Sequence, residues 1–181
     1  MGVRTKVWTR EEYDRLVAAG AFPPGARVQL IHGEIVEMTP QSALHAAAVE
    51  LAQNALHALG PEYGVRVQLP LALGAESEPE PDLAVVAGPP RSRAERHPAT
   101  AVLVVEVADT TLEFDRTRKQ AVYASARIPE DWVVNLVDRV LEVCREPEES
   151  TYRTTMRLAP GDSIAPLAAP TVRIAVSDLL P

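Results

Sequence analysis

Three residues could do chemistry together: Asp82, Glu106 and Lys119. Asp82 opens the apolar run Leu83-Ala84-Val85-Val86-Ala87, and Glu106 stands near the end of another, Val102-Leu103-Val104-Val105-Glu106-Val107. Apolar runs without alternation read as strands buried on both faces. A carboxylate there loses its hydration, and acids are almost never fully buried unless paired. Two of them at strand ends require a shared cation, either a metal ion or a basic side chain. Lys119 is a candidate. Only Lys6 and Lys119 are lysines among the 18 basic residues, so a lysine inside Asp115-Arg116-Thr117-Arg118-Lys119 stands out from an arginine background. Its ammonium is a compact charge whose pKa responds to burial, whereas arginine stays protonated. The plainer account is a solvated helix pair, Asp115 with Lys119 at i, i+4.

The elements that would position these residues follow from capping, periodicity and breakers. Thr9 and Glu12 form a capping box before the stripe Tyr13, Leu16, Val17. Residues 27–38 read as a hairpin turning at His32-Gly33. Ser42 caps a helix that runs to about residue 59, where Gly60-Pro61 stops it. Residues 64–73 alternate, with Val65, Val67, Leu69, Leu71 and Leu73 on one face. The three glutamates of the loop 74–81 read as solvated. Strands at 82–87 and 102–107 flank a Pro- and Arg-rich loop carrying Arg91, Arg93 and Arg96. A helix at about 114–126 places Asp115, Lys119 and Tyr123 on one face. Strands at 132–136 and 140–144 and short β segments at 152–158 and 171–176 complete an α/β chain around a central mixed sheet flanked by helices.

Composition bounds the class. A chain of 181 residues, 46 % apolar and 24 % charged, fits one domain spanning 1–181. No run reaches the ~18 apolar residues of a membrane span, so no membrane partner is expected. Residues 1–8 lack the apolar core of a signal peptide, and Cys144, the single cysteine, excludes an intrachain disulfide. A cytoplasmic protein is the expectation. The 16 prolines and two lysines would suit a thermophile. A net charge of −7 argues against broad non-specific nucleic-acid binding but leaves room for a local basic surface, for which Arg91, Arg93, Arg96, Arg116 and Arg118 are the candidates.

An order of helix, strand, strand, strand, helix, strand with Asp, Glu and then Lys resembles the PD-(D/E)XK nuclease core. Nearly the whole chain is similar to the Uma-two family of restriction-endonuclease-like proteins. The matching phrases include Thr9-Arg10-Glu11-Glu12-Tyr13, Leu30-Ile31-His32-Gly33-Glu34-Ile35-Val36-Glu37-Met38, His45, Pro81-Asp82-Leu83-Ala84-Val85, Val105-Glu106-Val107, Asp115-Arg116-Thr117-Arg118-Lys119, Tyr123 and Ile128-Pro129-Glu130-Asp131-Trp132-Val133-Val134. The resemblance implies a restriction-endonuclease-like core with an extra N-terminal helix–hairpin and C-terminal β segments. It implies that Asp82, Glu106 and the Val107 carbonyl ligate Mg2+ or Mn2+, and that DNA is the substrate. It puts Lys119 in the role of a lysine that the wider superfamily often carries at the position of Ala108. His45 and Glu34 enter as further site candidates, and a homodimer is possible. The chain departs from the family pattern at Gln29, where an acid is usual, at His32, where Asp is usual, and at Arg127, where Gly is usual. Asp109-Thr110-Thr111 replaces a serine-rich loop. The alternatives are a nuclease-like fold kept as a binding or assembly module with little catalysis, and a carboxylate-pair glycosidase, which would leave Lys119 without a role.

Overall fold

The computed structural model describes residues 4–181; residues 1–3, part of the stretch read for a signal peptide, lie outside it. The helix α1 (Arg10–Ala18) starts from Thr9, whose hydroxyl accepts from the Glu12 amide while the Glu12 carboxylate accepts from the Thr9 amide. The hairpin β1 (Val28–Ile31) and β2 (Glu34–Glu37) follows, then α2 (Ala43–Leu56) with a 3-10 extension, His57–Leu59. Next come β3 (Tyr63–Val67), β4 (Leu83–Ala87) and β5 (Leu103–Ala108). The helix after β5 has three parts: α3 (Leu112–Phe114), a π-helical turn (Asp115–Lys119) and α4 (Gln120–Ser125). Strands β6 (Glu130–Asn135), β7 (Val140–Glu148) and β8 (Thr151–Leu158) finish the main sheet, and β9 (Ser163–Ile164) pairs with β10 (Ile174–Ala175).

The main sheet has six strands in the order β3-β4-β5-β6-β7-β8. Only β5 and β6 run parallel, joined by the α3–α4 crossover; the other neighbours are antiparallel. This is the mixed sheet that the unalternating runs imply. Odd-numbered residues Leu83, Val85, Val105 and Val107 pack with α2 and the C-terminal segment. Even-numbered Ala84, Val86 and Val104 pack with α4, Ile31 of the hairpin and Leu71. Glu106 shares parity with Val104 and faces α4.

Several expectations change. The strand read over 64–73 stops at Val67, because Gln68 takes φ +50° and its amide donates to the Asp82 carbonyl at 3.0 Å. The alternating leucines therefore do not share a face with Val65: Leu71 and Leu73 pack on the α4 side, and Leu69 is 44 % exposed. The loop glutamates are not all solvated. Glu78 is buried, since its backbone pairs with Leu30 of β1. Burial, with Asp14 nearby and only partly offset by Arg10, pushes its carboxyl up to about 7. Of the segment read over 171–176, Ile174–Ala175 alone is strand.

Two departures from the family pattern have a backbone setting. His32 and Arg127 both lie at positive φ, 49° and 59°. Gly adopts that region more easily than Arg, and Asp and His are both among the side chains that tolerate it. Arg127 closes α4: its amide donates to Ala124 O (2.9 Å) and the Ile128 amide to Tyr123 O (3.1 Å). That is the Schellman pattern, in which the left-handed residue is usually glycine.

Candidate active site

The antiparallel register of β4 and β5 pairs Leu83 with Val105, so Asp82, one residue before β4, falls opposite Glu106. The Asp82 amide donates to Glu106 Oε2 at 3.4 Å, and the Val107 amide donates to Asp82 Oδ2 at 2.9 Å. His45 Nε2 lies 3.2 Å from Asp82 Oδ2, and Gln68 Nε2 donates to Asp82 Oδ1 at 3.2 Å. Burial raises the Asp82 carboxyl, but His45, Lys119 and the Val107 amide outweigh it and hold the group below its ordinary value.

Lys119 and Asp115 come from the π turn, and Tyr123 from the α4 segment that follows. All three are buried. Lys119 Nζ donates to Glu106 Oε2 at 2.9 Å and lies 3.8 Å from Asp115 Oδ1; the Tyr123 hydroxyl donates to Glu106 Oε1. The solvated Asp115–Lys119 pair of the plainer account is thus a pair, but a buried one. Thr111 Oγ1 donates to Asp115 Oδ2 at 2.6 Å. Three carboxylates surround one ammonium. Burial, with Asp115 and Asp82 adding to it, pushes the Glu106 carboxyl up to about 8 against the pull of Lys119 and Tyr123. Burial alone would lower the Lys119 pKa; Glu106, Asp115 and Asp82 reverse that and hold it above the ordinary lysine value. Lys119 is therefore a fixed cation at neutral pH.

His45 sits in the first turn of α2, where its amide donates to Ser42 Oγ at 3.1 Å. Ser42 Oγ in turn donates to Asp109 Oδ2 at 2.7 Å, tying the start of α2 to the loop after β5. Burial lowers the His45 pKa, but the hydrogen bond and charge of Asp82 leave it raised. A cleft of about 340 Å³ opens over Asp82, Lys119, His45 and Asp115, walled by Gln29 and residues 36–42 on the hairpin side. Glu34 stands apart, exposed on β2 and paired with Arg118 Nη2 at 2.8 Å.

The arginines are placed differently from the basic surface expected. The loop with Arg91, Arg93 and Arg96 leaves the far end of β4 and enters the far end of β5, so it lies across the sheet from Asp82 and Glu106. Arg93 Nη1 donates to the Ala87 and Gly88 carbonyls. Arg116 is held by Glu142.

Asp115, Tyr123, Gln68 and Asp109 join the assembly beyond the expected residues. The i, i+4, i+8 spacing of Asp115, Lys119 and Tyr123 carried a signal for two of them. Gln68 had none, since nothing in its neighbours announces a positive φ. Among the described residues, no group of three His, Cys, Asp or Glu side chains stands in a metal-holding arrangement. The donor set fits a hard cation nonetheless. Mg2+ takes oxygen ligands, often only one or two protein carboxylates with waters. Asp82 and Glu106 would supply these, and with Asp115 they gather three acids around one ammonium, that of Lys119.

Comparison with curated proteins gives no match. The fold is similar to the crystal structure titled “a putative nuclease belonging to DUF820” from Anabaena variabilis ATCC 29413, with a TM-score of 0.65 at 15 % identity, covering 91 % of this chain and 96 % of that one. The Uma2 family model, described as “Putative restriction endonuclease”, matches residues 10–177. With that match spanning nearly all of the chain, the protein belongs to the Uma2 family.

Proposed function

We propose that the protein is a metal-dependent phosphodiesterase that hydrolyses DNA. The observation that carries this reading is the register-opposed pair Asp82 and Glu106, with the buried ammonium of Lys119 bonded to Glu106. Asp82, Glu106 and the Val107 carbonyl would hold Mg2+ or Mn2+, which when bound supplies a water of lowered pKa and neutralises phosphoryl charge. The Val107 amide already faces Asp82, and in an extended strand the carbonyl of the same residue points to the same side.

Hydrolysis forms a bond from water oxygen to phosphorus and breaks the bond from phosphorus to the leaving sugar oxygen, which takes up a proton. Lys119 stays protonated and so is not the base; it donates hydrogen bonds to the attacking water or to the phosphate oxygen that gains charge. Tyr123 and Asp115 hold Lys119 and Glu106 in place. His45 is a positioning residue for Asp82. Glu34 has no part in this scheme beyond its pair with Arg118.

One observation favours the binding or assembly module instead. Both oxygens of Asp82 and both oxygens of Glu106 already accept from protein donors or face His45, as a purely structural network would have them. Calorimetry with Mg2+ and Mn2+, beside cleavage of plasmid and oligonucleotides, separates the two. The nuclease reading expects metal binding and cleavage by the wild type, with both lost in Asp82→Ala. No binding at millimolar metal and neutral pH would overturn it.

A further inference from the structure

Resting on that reading, we infer that the cleft takes a single unpaired nucleotide, so that the substrate is single-stranded or locally unpaired DNA and not intact duplex. Intact duplex is held by rows of arginines and lysines on its phosphates. Among the described residues this cleft offers no such row. Arg27 on its wall is paired with Glu80 (3.1 Å), Arg118 with Glu34 and Arg116 with Glu142. The loop arginines lie at the other end of β4 and β5. The cleft walls also carry Glu37, Glu80 and Asp109.

The cleft does provide for a base. Its volume of about 340 Å³ suits one nucleotide and not a double helix about 20 Å across. Val36, Met38, Pro40 and Phe114 give the lining apolar surface, and Asp82 and Lys119 give it charge. Phe114 is half-buried, and the Arg118 guanidinium lies over one part of its ring, 5.7 Å from the centre. Arg118 itself is turned to Glu34 and does not line the cleft, so the part of the Phe114 ring that faces the cleft is the surface on which an unstacked base would stack. Gln29 adds a directed donor. It is 2 % exposed, and the Glu80 amide donates to its Oε1 at 3.2 Å. An N–H facing that atom fixes it as the oxygen, so Nε2 is left, without a protein acceptor among the described residues, to meet an acceptor on the nucleotide. A base stacked against Phe114 and hydrogen-bonded to Gln29 would bring its own phosphate toward Asp82 and Lys119.

The test uses one oligonucleotide as a single strand, in a perfect duplex, and in a duplex with a three-nucleotide bulge, each carrying 2-aminopurine, whose fluorescence is quenched on stacking. Cleavage is measured in Mn2+ and binding in Ca2+. The inference expects single-stranded and bulged DNA to be cut at least ~10-fold faster than duplex. It expects Phe114→Ala to raise KM for the single strand by about 10-fold or more with kcat little changed. Phe114→Leu keeps the packing volume and should show the same loss of quenching, and Gln29→Leu should weaken binding. Equal cutting of duplex and single strand, or a single-strand KM indifferent to Phe114→Leu, would overturn the inference and leave the nuclease reading standing. Phe114-dependent binding without cleavage would keep the nucleotide site and overturn the nuclease reading. Neither binding nor cleavage would overturn both.

Discussion

Lys119 and Asp131 are the residues at which burial and charge most conflict. Among the described residues Lys119 is the only lysine or arginine within the cluster of Asp82, Glu106 and Asp115, beside the His45 ring on Asp82. Breaking a buried ion pair by removing one partner costs about 3–5 kcal/mol. Lys119→Met should therefore lose cleavage and also lose about that much stability in urea unfolding at pH 8. The loss should shrink towards pH 5, where the stranded acids protonate. If the site binds divalent metal, Mn2+ should restore part of the melting temperature of the variant. An unfolding midpoint equal to the wild type at pH 8 would deny the pair its importance. Asp131 has no cation bonded to it among the described residues. It is fully buried, Oδ1 has no partner, and Gln120 Nε2 reaches Oδ2 only at 3.4 Å. Burial pushes its carboxyl up to about 7, with Gln120 and Lys119 opposing and Asp115 adding. The folded state thus holds a proton that the unfolded chain releases near pH 4, so this residue makes folding less favourable as pH rises from about 4 through 7. Asp131→Asn should remove that dependence and raise stability at pH 8; a variant less stable than wild type at pH 8 would contradict this.

At the scale of elements, the turn at Arg127 offers the cleanest experiment. An L-residue in the left-handed region costs about 1–2 kcal/mol, and glycine escapes it at some cost in chain entropy. Arg127→Gly also loses the hydrogen bond from Arg127 Nη1 to Pro147 O, an exposed contact of small value. The net expectation is a gain of about 1 kcal/mol, or about 2–4 °C in Tm by calorimetry. No gain would mean that the Pro147 contact matters more than the backbone. Much of this level was legible in sequence. The capping box at Thr9, the hairpin at His32-Gly33 and the buried strands β4 and β5 follow from local chemistry that the tertiary structure respects. The break at Gln68 was not legible, because its positive φ belongs to a hydrogen bond with the Asp82 carbonyl, fourteen positions away. Nor was the burial of Glu78, which depends on β1 lying alongside it. The π turn, which carries both Asp115 and Lys119, has no distinct residue pattern of its own; the spacing located the face but not the widened turn.

For the molecule as a whole, the sheet topology decides which charges can matter to one another. A net charge of −7 left a local basic surface as the expected DNA contact, with the arginine loop as a candidate for it. Antiparallel pairing sends that loop to the opposite end, roughly a strand length of ~17 Å or more away. Arg91→Ser with Arg96→Ser should accordingly leave cleavage and the salt dependence of DNA binding unchanged, as measured by titration between 50 and 200 mM salt, about the range over which phosphate contacts reveal themselves. A flattened salt slope would return the loop to the binding surface. Among the described residues no helix is long and apolar enough to cross a membrane. The seclusion of Lys119 has a further consequence for acylating reagents. They consume only neutral, accessible amines, and this chain carries just two lysine side chains. Lys6 is 54 % exposed at its side chain and should be modified first, whereas Lys119, 8 % exposed, should wait until the helix lifts from the sheet. Its labelling rate, followed by mass spectrometry, would then be a clock for that opening.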